Sequence, residues 1–195
     1  EIPALDSGFP VVFAGNIGSA QAVEVIVEAA TRLADHPEIR FVVIGQGSRW
    51  EWMAEQAVER GLSNLHLPGR FPIHTMPGVL KKAGALMVTL TNDPIFRKTI
   101  PNKIQAYMAV GRPILACLDG EGARVVTEAG AGISVPSGDI DRLVAAVLQM
   151  YVMKPEQRAL MGISGRQYFL EHFEHEKLVQ RMLEHFEILV VSERR

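Results

Sequence analysis

A doubly wound α/β fold, with a parallel sheet of about six strands and helices on both faces, is the fold class that this sequence predicts. Short apolar runs rich in Val, Ile and Leu alternate with amphipathic stretches over residues 9–152. The apolar runs lack strict polar alternation, as is typical of parallel strands covered on both sides. With 195 residues, of which 48% are hydrophobic, the chain is long enough for one such Rossmann-like domain and an appendage.

The predicted strands are short apolar segments that end at or near Gly or Pro. They cover residues 9–15, 39–45, 64–69, 84–90, 112–118 and 132–136. Open parallel sheets bind ligands outside the carboxyl ends of their strands. The loops that follow these segments are therefore the first place to look for a site.

Helical patterns fill the intervals between the strands and continue beyond the last one. Residues 20–34 form the first, with an apolar stripe that includes Val23, Ile26 and Leu33. The other predicted helices cover residues 49–60, 75–83, 101–110, 122–129, 139–151, 155–172 and 174–191. The regular alternation of strand and helix ends near residue 152, so the last two helices form the appendage.

Three segments of the chain follow from this pattern. Residues 1–8 have the composition of a linker, residues 9–152 form the α/β domain, and residues 153–195 form the C-terminal helices. An apolar stripe of the last helix comprises Leu178, Met182, Leu183, Phe186, Leu189 and Val190. It is expected to cover the domain's own sheet or, in part, an N-terminal domain that is absent here. Because the first residue is not Met, we expect the sequence to be a piece of a longer protein.

Charge and composition argue against several classes of function. The formal net charge is −2 and no block of like charges occurs, so no nucleic-acid partner is expected. No apolar run approaches the ~20 residues that span a bilayer, and no signal-peptide pattern is present.

Cys117 lies in an apolar run and is expected to be a buried hydrophobe in a reducing compartment. His172 and Glu176 have a possible metal-ligand spacing but no third ligand, so no metal site is predicted.

Two glycine-containing loops are candidates for binding phosphate. Residues 14–21 follow the first strand and carry Gly15 and Gly18, and residues 44–50 follow the second strand and carry Gly47. Glycine lets a backbone approach a ligand closely, and each loop opens a helix whose N-terminus favours anions. Neither loop is a complete phosphate-binding motif, and glycines that merely turn the chain are the alternative.

The third candidate is the stretch TIPNKIQAYMAVGRPIL, residues 99–115. Pro101 fits the first helical position, which leaves the N–H groups of Asn102 and Lys103 free to donate hydrogen bonds to an anion. The side chain of Lys103 adds a mobile positive charge. The alternative is an ordinary helix with a solvated lysine.

The ordered blocks FAGNIG, VVIGQGSRWEWMAEQAVERGLSNLHLPGRFP, GALMVTL, PNKIQAYMAVGRPIL and GAGISVPSGDIDRLVAAVLQM resemble the C-terminal domain of GT-B glycosyltransferases. The resemblance is to the group 1 type, family 4, and within it to bacterial transferases that build surface polysaccharides. It covers about residues 10–190 and implies one half of a GT-B fold, whose role is to bind a nucleoside-diphosphate sugar, by default UDP-linked.

In such a domain the donor lies at the carboxyl ends of the strands. The residues that the resemblance implies for donor binding are Gly15, Asn16, Gly18, Gly47, Arg70, Phe71, Arg97, Ile100, Pro101, Asn102, Lys103 and Gln105. The first loop approaches the diphosphate or the sugar, Arg70 and Phe71 lie near the base, and the helix start at residues 100–103 faces the diphosphate. No cofactor and no metal is implied, because the nucleotide sugar is a substrate.

The sequence departs from the family pattern at two pairs of positions. The family usually carries an Arg and a Lys that neutralise the diphosphate, where this chain has Asn16 and Gln21. It also carries two Glu residues, which fall on Arg97 and Gln105. Gln105 could still bond the ribose hydroxyls, but Arg97 cannot act as the first Glu does. We hypothesise that Arg97, Lys98 and Lys103 supply the missing positive charge.

The resemblance implies transfer of a sugar to a saccharide or lipid-linked acceptor in cell-surface polysaccharide synthesis. The acceptor site and the catalytic residues are expected in the N-terminal domain, so this chain alone is expected to be inactive. A cytoplasmic location is expected, with peripheral contact at the inner face of the plasma membrane in the full-length protein. The alternatives are a degenerate, non-catalytic binding module and a sugar-nucleotide epimerase. The sequence leaves open which sugar, base and acceptor are used, and whether transfer retains or inverts configuration.

Overall fold

The structure is a computed structural model that describes residues 2–192, with side chains for all of these except Arg181 and residues 187–192. Within this range one parallel sheet has the strand order β3-β2-β1-β4-β5-β6. Its strands are β1 (Phe9–Ala14), β2 (Ile39–Ile44), β3 (Leu65–Gly69), β4 (Ala85–Thr89), β5 (Ile114–Cys117) and β6 (Gly132–Val135). Each strand lies inside the segment predicted for it, and the predicted fold class is confirmed.

The helices of the described range lie close to their predicted positions. They are α1 (Glu24–Arg32), α2 (Trp50–Glu59), α3 (Met76–Lys81), α4 (Pro94–Arg97), α5 (Asn102–Val110), α6 (Glu121–Glu128), α7 (Ile140–Val152), α8 (Pro155–His172) and α9 (His175–Ser192). The short helix α4 is absent from the sequence prediction. Asp93 caps its start, because the Asp93 side chain accepts a hydrogen bond from the nitrogen of Ile95 at 2.8 Å.

Helices cover both faces of the sheet. Successive strand residues point to opposite sides, and both sets of side chains are apolar and need covering. Val11 and Phe13 of β1 pack into a core with α1, α2 and α7. Val12, between them, packs into a second core with α3, α5 and α6. Phe13 and Val12 are fully buried, and each such side chain contributes roughly 1.5–3 kcal/mol. Burial on both faces explains why the strand segments lack polar alternation.

The predicted linker, residues 1–8, packs on the domain over its described part. Pro3–Leu5 form a 3₁₀ turn, and Ile2, Ala4 and Leu5 are buried in the core that contains α3 and α5. These side chains attach the start of the chain to the sheet before β1 begins.

The helix α8 packs closely on α5 through glycine. A Cβ atom at Gly162 would lie 2.2 Å from the carbonyl oxygen of Gly111, so no larger residue fits. The guanidinium of Arg166 donates to the carbonyl oxygen of Ala109, in the last turn of α5. The C-terminal end of α5 is therefore fixed to α8.

The helix α9 keeps its apolar stripe largely in solvent. Leu178, Met182, Leu183 and Phe186 are 43–55% exposed, whereas packing on the domain's own sheet would have buried them. The stripe's two other predicted members, at positions 189 and 190, lie outside the described side chains.

Candidate functional site

A cleft of about 550 Å³ opens at the carboxyl ends of β1, β2 and β3, between α3 and α5. In the sheet, β1 has β2 on one side and β4 on the other. Doubly wound sheets bind ligands at this point, where the strand order reverses. The cleft is lined by Ala14, Gly15, Asn16, Ile44, Gly45, Gln46, Arg70, Phe71, Ile73, Met76, Leu80, Lys103, Ala106 and Tyr107.

Glycine allows the loops after β1 and β2 to touch. The nitrogen of Gly15 donates to the carbonyl oxygen of Ile44 at 2.9 Å. Gly45 has φ +144°, and a Cβ there would lie 1.8 Å from the oxygen of Gly15. Only glycine satisfies both the conformation and the contact.

The side chain of Asn16 covers two of the predicted glycines. A Cβ at Gly18 would lie 2.8 Å from its Nδ2 atom, and one at Gly47 would lie 2.8 Å from its Oδ1 atom. The nitrogen of Ile17 donates to the oxygen of Gln46 at 2.9 Å, which joins the two loops. Gly18 and Gly47 thus sit behind Asn16 and do not themselves line the cleft.

The helix α5 presents one face to the cleft. Lys103, Ala106 and Tyr107 line it, at the i, i+3 and i+4 spacing of one helical face. Among the described residues, no side chain caps the start of this helix. Its positive end therefore remains available to an anion.

Lys103 is held inside the site. Its Nζ atom donates to the Oε1 atom of Gln21 at 2.5 Å and lies 4.5 Å from the centre of the Phe13 ring. A Cβ at Gly15 would lie 2.7 Å from Cε of the lysine, so the lysine chain runs directly against the loop. Burial lowers the pKa of Lys103 to about 8, because the charged form is partly desolvated.

Tyr107 joins α5 to β1. Its hydroxyl accepts a hydrogen bond from the nitrogen of Ala14 at 3.0 Å, and burial raises the pKa of this phenol. Sequence reasoning did not assign Tyr107 to the site. Its contact with the rim of the cleft connects residues 93 positions apart, which spacing along the chain does not reveal.

Arg70 and Phe71 follow β3 and line the cleft, where the resemblance places the base. Phe71 is half-buried and Arg70 is exposed. The apolar side chains of Ile73 and, from α3, Met76 and Leu80 also line the cleft. This side of the cleft is thus mainly apolar with a cation at its edge.

Arg97, at the end of α4, lies outside the cleft lining. Its Nε atom donates to the Oδ1 atom of Asn92 at 3.0 Å, and its guanidinium is 3.8 Å from the carboxylate of Asp119. Neither of these two partners lines the cleft.

The remaining predicted residues lie near the start of α5. Ile100 and Pro101 are half-buried, Asn102 is exposed, and none of the three lines the cleft. Gln105 does not line it either, because it precedes Ala106 by one residue and is turned about 100° around the helix. Donor contacts by these four residues stay a prediction.

Among the residues that the structure describes, no cluster of three or more His, Cys, Asp or Glu side chains has metal-binding geometry. None of the helices within residues 2–192 combines the length and apolar character that crossing a membrane requires.

The sequence of residues 8–152 matches the family model of glycosyl transferases group 1. The chain belongs to this family. The group 1 domain is 28% identical over 149 residues to WcaI of Escherichia coli (strain K12), assigned as a glycosyl transferase of colanic acid biosynthesis. The alignment covers 73% of this chain and 35% of WcaI, so the chain spans about a third of the length of this curated relative.

Solved structures show the same fold. HepE of Anabaena in complex with UDP superposes with a TM-score of 0.81 at 14% identity, covering 94% of this chain and 50% of HepE. The C-terminal domain of LpcC from Francisella tularensis, also a group 1 protein, superposes with a TM-score of 0.72 at 15% identity, covering 87% and 88% of the two chains. The group 1 domain therefore has the fold of one half of a GT-B glycosyltransferase.

Proposed function

We propose that this chain is the C-terminal, donor-binding domain of a glycosyltransferase. The enzyme would transfer a sugar from a nucleoside diphosphate to a saccharide or lipid-linked acceptor in the synthesis of a cell-surface polysaccharide. The observation that carries the proposal is the ammonium of Lys103 beside Gly15, in a cleft at the carboxyl ends of the strands. Membership in glycosyl transferases group 1 supports the reaction class.

The diphosphate is expected to bind where Lys103 meets the loop after β1. The backbone of Gly15 comes close to the lysine chain, and the positive end of α5 begins at Asn102. The described lining includes the cations Lys103 and Arg70 and no carboxylate. A dianionic ligand is therefore favoured there over a cationic one.

The base is expected between Phe71 and the apolar side of α3. Phe71, Met76 and Leu80 provide surface for an aromatic ring, and Arg70 provides hydrogen-bond donors at its edge. UDP is the proposed nucleotide because HepE, which shares the fold, was solved with UDP.

When the glycosidic bond of the donor breaks, negative charge grows on the departing diphosphate. Lys103 and the N–H groups at the start of α5 stabilise this charge electrostatically, and they need little rearrangement because the protein already holds them in place. The family usually carries a Lys at the position of Gln21. In this chain Lys103 supplies a positive charge next to that position.

The acceptor site and the catalytic residues are proposed to belong to an N-terminal domain. The exposed apolar side chains of α9, among them Met182 and Phe186, offer that domain a surface. The length of WcaI, about three times the matched region, leaves room for it. A cytoplasmic location, with the inner face of the plasma membrane reached through the rest of the chain, is part of the same proposal, as is assignment to family 4.

A non-catalytic binding module is the second candidate. The observation that favours it is the lack of any carboxylate among the described residues that line the cleft. The epimerase alternative has no such support, because the family match is to glycosyl transferases. Turnover by the full-length protein separates the two remaining candidates.

Calorimetric titration of this chain with UDP, GDP and UDP-N-acetylhexosamines tests donor binding. We expect saturable binding of a uridine nucleotide, and a loss of at least roughly tenfold in affinity for Lys103→Ala, as for a hydrogen bond to a charged group. Lys154→Ala, an exposed lysine at the start of α8, is the matched control and should bind normally. Equal affinity of the Lys103→Ala variant would overturn the assigned diphosphate position.

A further inference from the structure

We infer that Gln21 is a positioning residue, which holds the ammonium of Lys103 at the diphosphate end of the cleft. This inference rests on the proposed function, because it assigns a partner to the cation that the donor would meet. The contact that carries it is the 2.5 Å hydrogen bond from Nζ of Lys103 to Oε1 of Gln21.

The backbone of Gln21 is fixed by the end of β4. Gln21 ends a 3₁₀ turn, Ser19–Gln21, and its carbonyl oxygen accepts a hydrogen bond from the hydroxyl of the fully buried Thr89. One position earlier, the oxygen of Ala20 accepts from the nitrogen of Thr91 at 3.0 Å. These two hydrogen bonds fix the backbone position from which the Gln21 side chain extends.

The turn that carries Gln21 also holds an unusual backbone conformation. Ala22 has φ +45° and ψ +44°, in the left-handed region that residues with a Cβ rarely adopt. Such a conformation persists only where the surrounding structure determines it, and such conformations cluster at active sites and ligand-binding segments. Here the bonds to Thr89 and Thr91 supply that constraint.

The chemistry of an amide suits the task. Lysine carries its charge on a flexible four-carbon stem, so an ammonium without a fixed acceptor would sample many positions. A carboxylate would fix the ammonium and also cancel its charge, whereas a neutral amide oxygen fixes the direction and leaves the charge for the ligand. The Gln21 amide also carries N–H groups beside the ammonium. The amide N–H and the ammonium can therefore both donate to one phosphate.

The described surroundings of Lys103 are otherwise uncharged. Phe13 from β1 provides a ring face, the backbone of Gly15 touches the lysine chain, and Gln21 provides the acceptor. Among the hydrogen bonds and ion pairs of the described residues, none joins Lys103 to an acidic side chain. Burial, and not a neighbouring charge, lowers the pKa of this lysine.

Two variants test the role of the amide. Gln21→Ala removes the acceptor, and Gln21→Asn keeps an amide on a shorter stem that does not reach the ammonium. We expect UDP affinity at pH 7 to fall roughly 5- to 20-fold in both, as for loss of a bond to a charged group. Removal of a bond to the charged form also lowers the pKa of Lys103, measured by NMR of its side-chain carbons.

A third variant separates position from charge. Gln21→Glu should raise the pKa of Lys103 through an opposite charge, yet still weaken UDP binding because the carboxylate neutralises the ammonium and repels the diphosphate. The double variant Gln21→Lys with Lys103→Gln exchanges the two groups across the same contact. We expect it to bind UDP better than Lys103→Gln alone, since an ammonium returns to the same place.

Gln167→Ala, an exposed glutamine on α8, is the matched control and should change neither quantity. The inference is overturned if Gln21→Ala and Gln21→Asn leave both UDP affinity and the pKa of Lys103 unchanged. It is also overturned if affinity falls while the pKa stays constant, because that result shows a structural role only. If the unmodified chain binds no nucleotide, the proposed function fails, and the pKa measurements still decide whether Gln21 positions Lys103.

Discussion

The hydroxyl of Tyr107 lies 3.0 Å from the backbone nitrogen of Ala14 and joins α5 to the last residue of β1. We expect Tyr107→Phe to lower the free energy of unfolding by about 1–2 kcal/mol, because it leaves the N–H group of Ala14 without its partner. The loop that begins at Gly15 should also loosen, and UDP affinity should fall. Urea unfolding and calorimetry measure both effects. Tyr151→Phe, whose ring packs near Phe9, is the control and should leave UDP affinity unchanged.

Replacement of Lys103 by Met should stabilise the fold and weaken UDP binding at least roughly tenfold. Burial lowers the pKa of Lys103 from its ordinary 10.5 to about 8. Below pH 8 both folded and unfolded chains carry the proton, so the folded state bears the full cost of burying the charge. We expect a gain of about 1–3 kcal/mol in unfolding free energy at pH 7.

The sign of the pH dependence provides a second check on Lys103→Met. Between pH 8 and pH 10.5 the unfolded chain binds more protons than the folded chain, so the unmodified protein gains stability from this group as pH rises. The advantage of the variant should therefore shrink over this range. Equal stability at pH 7, or an advantage that grows with pH, contradicts the assigned burial of the charge.

UDP binding should weaken as pH rises through the pKa of Lys103, about 8. If only the protonated lysine binds the diphosphate, affinity should fall about tenfold between pH 7 and pH 9. Calorimetry in buffers matched for ionic strength measures the profile. In Lys103→Arg the guanidinium stays charged throughout, so any binding that it retains should be nearly independent of pH. A flat profile for the unmodified chain would show that the ammonium is not the cation that meets the ligand.

Gly45→Ala should strongly destabilise the cleft. Its new Cβ would lie 1.8 Å from the carbonyl oxygen of Gly15, and backbone atoms cannot move aside without breaking the contact between the two loops. We expect a loss of at least about 3 kcal/mol in unfolding free energy. Gly78→Ala, in α3 with no atom near the added Cβ, is the control and should be neutral or slightly stabilising. A Gly45→Ala protein of normal stability would contradict the packing of these loops.

The sheet could be predicted from the sequence because its signal is local. Val11, Val12 and Phe13 are apolar in succession since both faces of β1 are covered, and each predicted strand contains the observed one. The helix α4 was missed because it has only four residues. Asp93 followed by Pro94 is a helix-start signal that could have revealed it.

The site was predictable only where it depends on position along the chain. Lys103 at the start of a helix after a strand could be assigned to the cleft, because topology alone places it there. Its contact with Gln21 spans 82 positions, and no local pattern contains it. Gln105 was named from the family resemblance, whereas the structure places its neighbour Ala106 on the face that lines the cleft. A donor contact by Gln105 stays a prediction.

The attachment of α5 at its C-terminal end gives this helix a mechanical role. Arg166 and Gly162 of α8 hold its last turn, and Lys103 lies in its first turn, about 12 Å away along a stiff helix. The part of α5 that rests on the C-terminal helices and the lysine that faces the cleft therefore belong to one short, continuous helix.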